Sequence, residues 1–203
     1  MGESRVRRER GDSPRTVYQL RVELVGSDPP IRRRVRVAGD ATLAELHQVI
    51  QAVMPWDNSH LHRFRVGGVS YAPPEWDVAE RDERTARLRR VAPRVGDVFT
   101  YEYDFGDSWE HEILVEAIEA PRPGERDPVC VAGERAAPPD DSGGLWGYYD
   151  WLDALADPAD PRHEDARAWL GEDFDPEAFD VARANQRLAR LGGGVWPGSV
   201  AGG

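Results

Sequence analysis

Three stretches hold the residues that could do chemistry. His60 and His62 lie two apart in His60-Leu-His-Arg-Phe-Arg-Val66, a strand-like run that puts both on one face. Tyr101-Glu-Tyr-Asp-Phe-Gly-Asp-Ser-Trp-Glu-His-Glu-Ile113 adds Asp104, Asp107 and His111 among aromatics. Asp140 and Asp141 precede Gly143-Gly144. Two histidines at i, i+2 with a third histidine and a carboxylate are adequate donors for zinc or iron, so His60, His62, His111 and Asp107 are the candidate metal ligands. A cleft lined by Asp104, Asp107, His111, Asp140 and Asp141 is the candidate binding site. Plainer readings compete. A core-edge histidine bonded to a carbonyl or carboxylate is the commoner fate, and no His-Glu-x-x-His spacing is present. Asp140 and Asp141 can be a turn and helix N-cap, or a carboxylate pair serving as general base or cation ligand. Cys130, the single cysteine, would need an activating cation to be a nucleophile, and a small buried residue is the simpler reading. The nucleophile-elbow, Walker and dinucleotide-binding signatures are absent.

The elements that must position these residues follow from hydropathy periods. Tyr18, Leu20, Val22 and Leu24 alternate with polar residues, as in a half-buried strand. After the Gly26–Pro30 turn, a second strand puts Ile31, Val35 and Val37 on one face and Arg32, Arg34 and Arg36 on the other. Thr42-Leu-Ala-Glu45 is a capping box opening a helix with the stripe Leu43, Leu46, Ile50 and Val53, ended by Pro55. A third strand spans 60–66, completing a β-grasp-like start of strand, strand, helix, strand. Residues 72–94 read as a loop with one helical turn, and 120–145 as a long loop. Strands are expected over Val98–Phe105 and Trp109–Ile118. Helical spacing then takes over, at Tyr148, Trp151, Leu152 and Leu155 and at Ala166, Trp169 and Leu170. A last helix is expected from Pro176, capped by Asp175. The fold class is α+β: a mixed sheet with a β-hairpin, and helices at the C-terminal end. Residues 1–15 read as a disordered arm, 16–191 as one domain and 192–203 as a flexible tail.

Patterning selects a register for the hairpin. A two-residue turn at Gly106-Asp107 would set Phe105 against Ser108, whereas a three-residue loop, Gly106–Ser108, pairs Phe105 with Trp109 and Tyr103 with His111. The second choice gives one apolar face and is the one expected. It also opposes Asp104 to Glu110 and Glu102 to Glu112, a repulsion to be offset by solvent, by the Arg32/Arg34/Arg36 stripe or by a bound cation.

Composition narrows the function classes. Residues 1–110 carry 18 Arg against 18 Asp and Glu, so the net charge of −11 falls in the second half, which disfavours generic nucleic-acid binding. All 26 basic residues are Arg, a bias with a compositional rather than a functional cause. No apolar run can span a bilayer and no secretory h-region opens the chain, which with the lone cysteine points to the cytoplasm.

Tyr103-Asp-Phe-Gly-Asp-Ser-Trp-Glu-His111, His60-Leu-His62, Cys130 with Gly133, and Pro138-Pro-Asp-Asp-Ser-Gly-Gly144 with Gly147-Tyr148 together resemble the plasmid Ri ORF-three-like family, also met as passenger TnpR-type proteins of insertion elements. The resemblance covers roughly residues 16 to 191 and implies a compact α+β domain of uncharacterised function. The family usually has Glu-Asp where this chain has Asp140-Asp141, and often a second cysteine where Ser142 stands. A resolvase role is disfavoured by the acidic second half. The expectation is a binding or interaction module for a protein or small-molecule ligand, with no membrane role and no cofactor beyond a transition metal at the histidines. The alternative is a metal-dependent hydrolase or nuclease using the same His and Asp residues.

Overall fold

Alternating apolar residues build the sheet, and a change of period builds the helices that cover it. The computed structural model describes residues 15–124 and 126–191. The expected arm and tail lie outside these, apart from Arg15, whose guanidinium pairs with Asp127 at 2.9 Å. Eight strands form one sheet: β1 Val17–Leu24, β2 Arg32–Ala38, β3 His62–Val66, β4 Val69–Ala72, β5 Arg81–Asp82, β6 Val98–Tyr103, β7 Trp109–Glu119 and β8 Val129–Glu134. Their order is β5-β4-β3-β6-β7-β1-β2-β8, antiparallel except for β4 with β5. The helices are α1 Leu43–Val53, α2 Leu88–Val91, α3 Gly144–Ala156, α4 His163–Leu170 and α5 Val181–Leu191. The fold is therefore α+β with a mixed sheet. The β-grasp-like start is not confirmed: strand, strand, helix, strand do follow one another along the chain, but β6 and β7 separate β3 from β1 in the sheet. Among the described residues no helix is long and apolar enough to cross a membrane.

One sheet face carries Leu20, Val22, Val35, Phe64, Tyr101 and Ile113, all buried, against the Leu43, Leu46, Ile50 and Val53 stripe of α1. Arg33 breaks this pattern. It shares the apolar face, is 1% exposed, and donates to the carbonyls of Val53 (3.0 Å), Arg32 (2.8 Å) and Glu134 (2.7 Å). Its guanidinium lies 4.0 Å over the Phe179 ring. It thus satisfies the α1 C-terminus with a cation, which the helix dipole favours. Phe179 lies so close to Gly133 that a Cβ there would meet the ring at 2.2 Å.

The opposite face is a lattice of arginine and glutamate. Arg34 holds Glu116 at 2.9 Å, Arg36 holds Glu119 at 2.8 Å, and Arg32 lies 3.2 Å from Glu134. Of the expected like-charge pairs only the principle survives: Glu102 opposes Glu110, and Glu112 opposes Thr100. The offset for Glu102 comes from Arg63, at 2.7 Å, rather than from the β2 stripe.

Three further expectations need correction. The 120–145 stretch contains β8, because its ladder with β2, the Arg33 bond to Glu134 O and the pairing of Asn185 with both the N–H and C=O of Cys130 (2.8 Å each) give this segment a place at the sheet edge. The last helix begins at Val181, not Pro176. Asp175 caps only a turn, accepting from Glu177 N at 2.9 Å, and Asp180 accepts from Arg183 N at 3.0 Å. The hairpin register differs as well, as described below.

The capping box is present in full: Thr42 Oγ1 accepts from Glu45 N at 3.2 Å and Glu45 Oε2 accepts from Thr42 N at 2.7 Å. Thr42→Ala should lower stability by about 1 kcal/mol, read as a fall in the urea midpoint at constant slope; an unchanged midpoint would contradict the capping role.

Candidate functional site

The β6–β7 hairpin closes through five residues, Asp104–Ser108, and pairs Tyr103 with Trp109 and Tyr101 with His111. The register lies two residues from the expected one, so each side chain keeps its face but changes its partner. The cause is Asp104. Its Oδ1 accepts from Gly106 N at 2.9 Å and its carbonyl from Ser108 N at 2.6 Å, a local turn that removes it from the ladder. Phe105 leaves the strand with it, and its ring sits under the Arg63 guanidinium at 4.8 Å.

The turn delivers Asp104 to His60, just before β3. His60 Nδ1 lies 3.8 Å from Asp104 Oδ2, and His60 Nε2 lies 3.3 Å from Asp141 Oδ1. One donor atom from each of His60, Asp104 and Asp141 lies within 4.8 Å of the others. Donors around one small cation stand ~3–4 Å apart, so modest side-chain rotation brings the three to a common ion. The set differs from the sequence-derived metal candidates. Among those, His60 alone belongs to it.

The 138–143 loop and the first turn of α3 are held against the hairpin by contacts from residues widely spaced in sequence. Asp107 Oδ2 accepts from Gly143 N at 3.0 Å. A Cβ on Gly144 would meet Asp107 O at 2.8 Å, and one on Gly147 would meet Ser142 O at 2.1 Å, which is why this loop needs its glycines. Trp56 Nε1 donates to Pro138 O at 2.8 Å, and Asp140 Oδ2 accepts from Asp57 N at 3.1 Å. Trp56 was not among the candidates; a tryptophan just past a helix-ending proline is a core residue on sequence grounds. Of the six described non-glycine residues with positive φ, four (Asn58, Asp104, Ser108 and Asp141) lie in these converging segments. Such conformations cost about 1–3 kcal/mol each unless the residue type tolerates them, and Asn and Asp tolerate them best.

Two buried polar atoms of the converging segments, Trp109 Nε1 and Asp140 Oδ1, have no hydrogen-bond partner among the described residues, whereas the Tyr103 hydroxyl has Ser59 and the Ser59–His60 backbone within reach. Burial pushes the Tyr103 hydroxyl up to about 12, and the group faces Ser59 and Asp140. Burial likewise raises the Asp140 carboxyl, against the opposing pull of the Asp57 amide.

His111 is not in the cleft. It is fully buried, donates Nδ1–H to Trp109 O at 3.0 Å, and meets the Trp56 ring edge-on at 5.4 Å. His62 is also buried and turns away, to bond Glu83 through Nε2 at 2.9 Å. Its ring stacks on His47 at 3.4 Å with planes 6° apart. Asn58 Oδ1 at 2.7 Å takes the His47 Nε2–H, so His47 Nδ1 accepts from the Tyr101 hydroxyl at 2.8 Å. Cys130 is buried and its thiol is pushed up by desolvation, which leaves it inert.

The fold and site define an α+β protein of one charged-faced sheet whose hairpin and Pro-Gly loop bring an imidazole and two carboxylates together. The chain belongs to the plasmid pRiA4b ORF-3-like protein family, whose profile matches residues 16–183. It is 39% identical over 180 residues to the uncharacterized protein y4hQ of Sinorhizobium fredii, covering 87% of this chain and 92% of that protein. A solved structure, the protein of unknown function MM3350 from Methanosarcina mazei Go1, is similar with a TM-score of 0.76 and 38% identity, over 84% of this chain and 98% of that one.

The buried histidines fix a pH profile. Burial lowers His47 to about 3, and His62 and His111 to about 4, from the ordinary 6.5, and raises Glu83 to about 8 from 4.5. Between pH 4.5 and 6.5 the Glu83–His62 pair holds one proton folded and one unfolded, while His47 and His111 each bind a proton only when unfolded. Stability therefore rises with pH, by on the order of 1 kcal/mol per unit for each histidine. Of these four groups Glu83 alone differs from pH 6.5 to 8, and the folded state holds the extra proton, so its contribution makes stability fall. Urea unfolding across this range should show a maximum near pH 6.5. Glu83→Gln should remove the alkaline decline, and a decline that persists in the variant would contradict the assignment.

Proposed function

We propose that this chain is a binding module that holds a divalent cation, and through it an anionic or polar ligand, at His60, Asp104 and Asp141. The observation that carries the reading is the convergence of three donor atoms within 4.8 Å from three separate chain segments. One imidazole and two carboxylates suit Mn, Fe or Zn, and three protein donors leave positions for ligand. An unpartnered buried group costs about 1–3 kcal/mol, so the Asp140 Oδ1 left without a partner beside the cluster is a position that a bound cation or its ligand would satisfy. Trp146, 87% exposed and two residues past Gly144, adds a large aromatic surface of the kind that anchors partners.

Titration of tag-free protein with MnCl2 and ZnCl2 in a calorimeter should give one ion per chain. His60→Ala, Asp104→Asn and Asp141→Asn should each weaken binding by about tenfold or more, with circular dichroism unchanged. Absence of saturable binding, or binding indifferent to all three substitutions, would refute the site.

Asp140 favours a second reading, hydrolysis. Its carboxyl has raised proton affinity and a free oxygen beside the cluster, the properties of a general base for a cation-bound water. On this reading, protein with Mn2+ cleaves bis-p-nitrophenyl phosphate, and Asp140→Asn abolishes turnover while ion affinity stays. A rate equal to that of free Mn2+ would leave binding as the function.

A further inference from the structure

Most arginines on the charged sheet face are matched by acids, as Arg34, Arg36 and Arg63 are. At the far end of β3 the pattern inverts. A half-open groove of about 530 Å³ runs between the β3–β4 turn and the segment around α2, and Arg81, Arg87, Arg90 and Arg94 line it with a single acid, Asp97. Asp97 is already engaged: its Oδ2 accepts from Arg94 N at 2.9 Å and its Oδ1 lies 3.3 Å from the Arg94 guanidinium. The Arg87 guanidinium donates to the carbonyl of Asp40 and has no acid partner among the described residues. The guanidiniums of Arg81 and Arg90 have neither hydrogen bond nor ion pair among the described residues. In a chain of net charge −11, a local excess of three positive charges around one concavity is the opposite of what the composition supplies.

The groove is also shaped for more than a bare ion. Tyr71, Val91, Ala92 and Pro93 give it an apolar wall. Gly67, at φ 56°, has open space where a side chain would stand, so a ligand can reach the backbone. Planar guanidiniums present paired N–H donors that match phosphate oxygens, and concavities of this size take small organic ligands. We infer that this groove binds a small phosphate ester, its phosphate between Arg81 and Arg90 and its organic part against the Tyr71–Pro93 wall. It lies at the opposite end of β3 from His60 and does not depend on the cation site.

The test is calorimetric titration of the full chain with AMP, adenosine, inorganic phosphate and a thymidine oligonucleotide, on wild type and on the double variant Arg81→Ala/Arg90→Ala. Both side chains are exposed, so the variant should keep its far-UV spectrum and unfolding midpoint. The expected result is saturable 1:1 binding of AMP, weaker binding of phosphate and none of adenosine. AMP affinity should fall at least about tenfold in the double variant and stay unchanged in His60→Ala. No saturable AMP binding, or binding that survives the double substitution, overturns the proposal. Oligonucleotide binding that is tighter than AMP and strengthens with length overturns it in favour of a nucleic-acid surface.

Discussion

The indole of Trp56 stacks on Tyr103 at 4.9 Å, stands 5.4 Å edge-on to His111 and donates to Pro138 O at 2.8 Å. It is 8% exposed, so this is a buried amide-like bond in a dry setting, where loss of one partner strands the other. The carbonyl it holds begins the loop that carries Asp140 and Asp141. The ring it rests on, Tyr103, ends β6 and is followed directly by Asp104. The N–H of Asp57, the residue after Trp56, donates to Asp140. Through one side chain, the end of α1, the hairpin and the Pro-Gly loop become a single packed unit, and the cleft lies on its rim.

That arrangement explains why the carboxylates sit where they do. Asp104 is 8% exposed and kept in a left-handed conformation by its own turn, so its Oδ2 has a fixed direction toward His60. Asp141 is similarly left-handed but exposed, and it owes its place to the glycine contacts with the Asp107 turn. The site is therefore preorganised on one side and adaptable on the other, as suits a cation whose ligands must close by a fraction of an ångström. In the buried His47–His62–Glu83 group desolvation keeps the imidazoles neutral and the carboxyl protonated.

Much of the frame was legible in the sequence, because it rests on local rules. The β1 alternation, the α1 stripe and the Thr42–Glu45 box each depend on period or spacing alone. The hairpin faces were legible too, since parity survives a shift of two residues, but the pairing was not: the decision lay in Asp104's bonds to its own backbone. β8 was hidden because its partners, Arg33 and Asn185, come from distant segments. At the site, the hairpin Asp residues and the 138–144 motif stood out by composition, and His60 by its neighbour His62. Which histidine faces outward is a tertiary question. The i, i+2 rule put both on one face, yet the strand starts at His62, so His60 is free to turn toward Asp104 while His62 goes into the core. Trp56 gave no signal, since a tryptophan just past a helix-ending proline is most often core, and Tyr103 stood out only as a hairpin and motif residue.

The central claim is that three chain segments converge to hold one cation. Crystals soaked in MnCl2 and measured for anomalous scattering test it directly. The account predicts a single strong anomalous peak within bonding distance of a His60 nitrogen and of carboxylate oxygens from Asp104 and Asp141, with the Trp56–Pro138 bond intact. Peaks confined to other surface carboxylates, with His60 still lying between Asp104 and Asp141 and no density among the three, would contradict it.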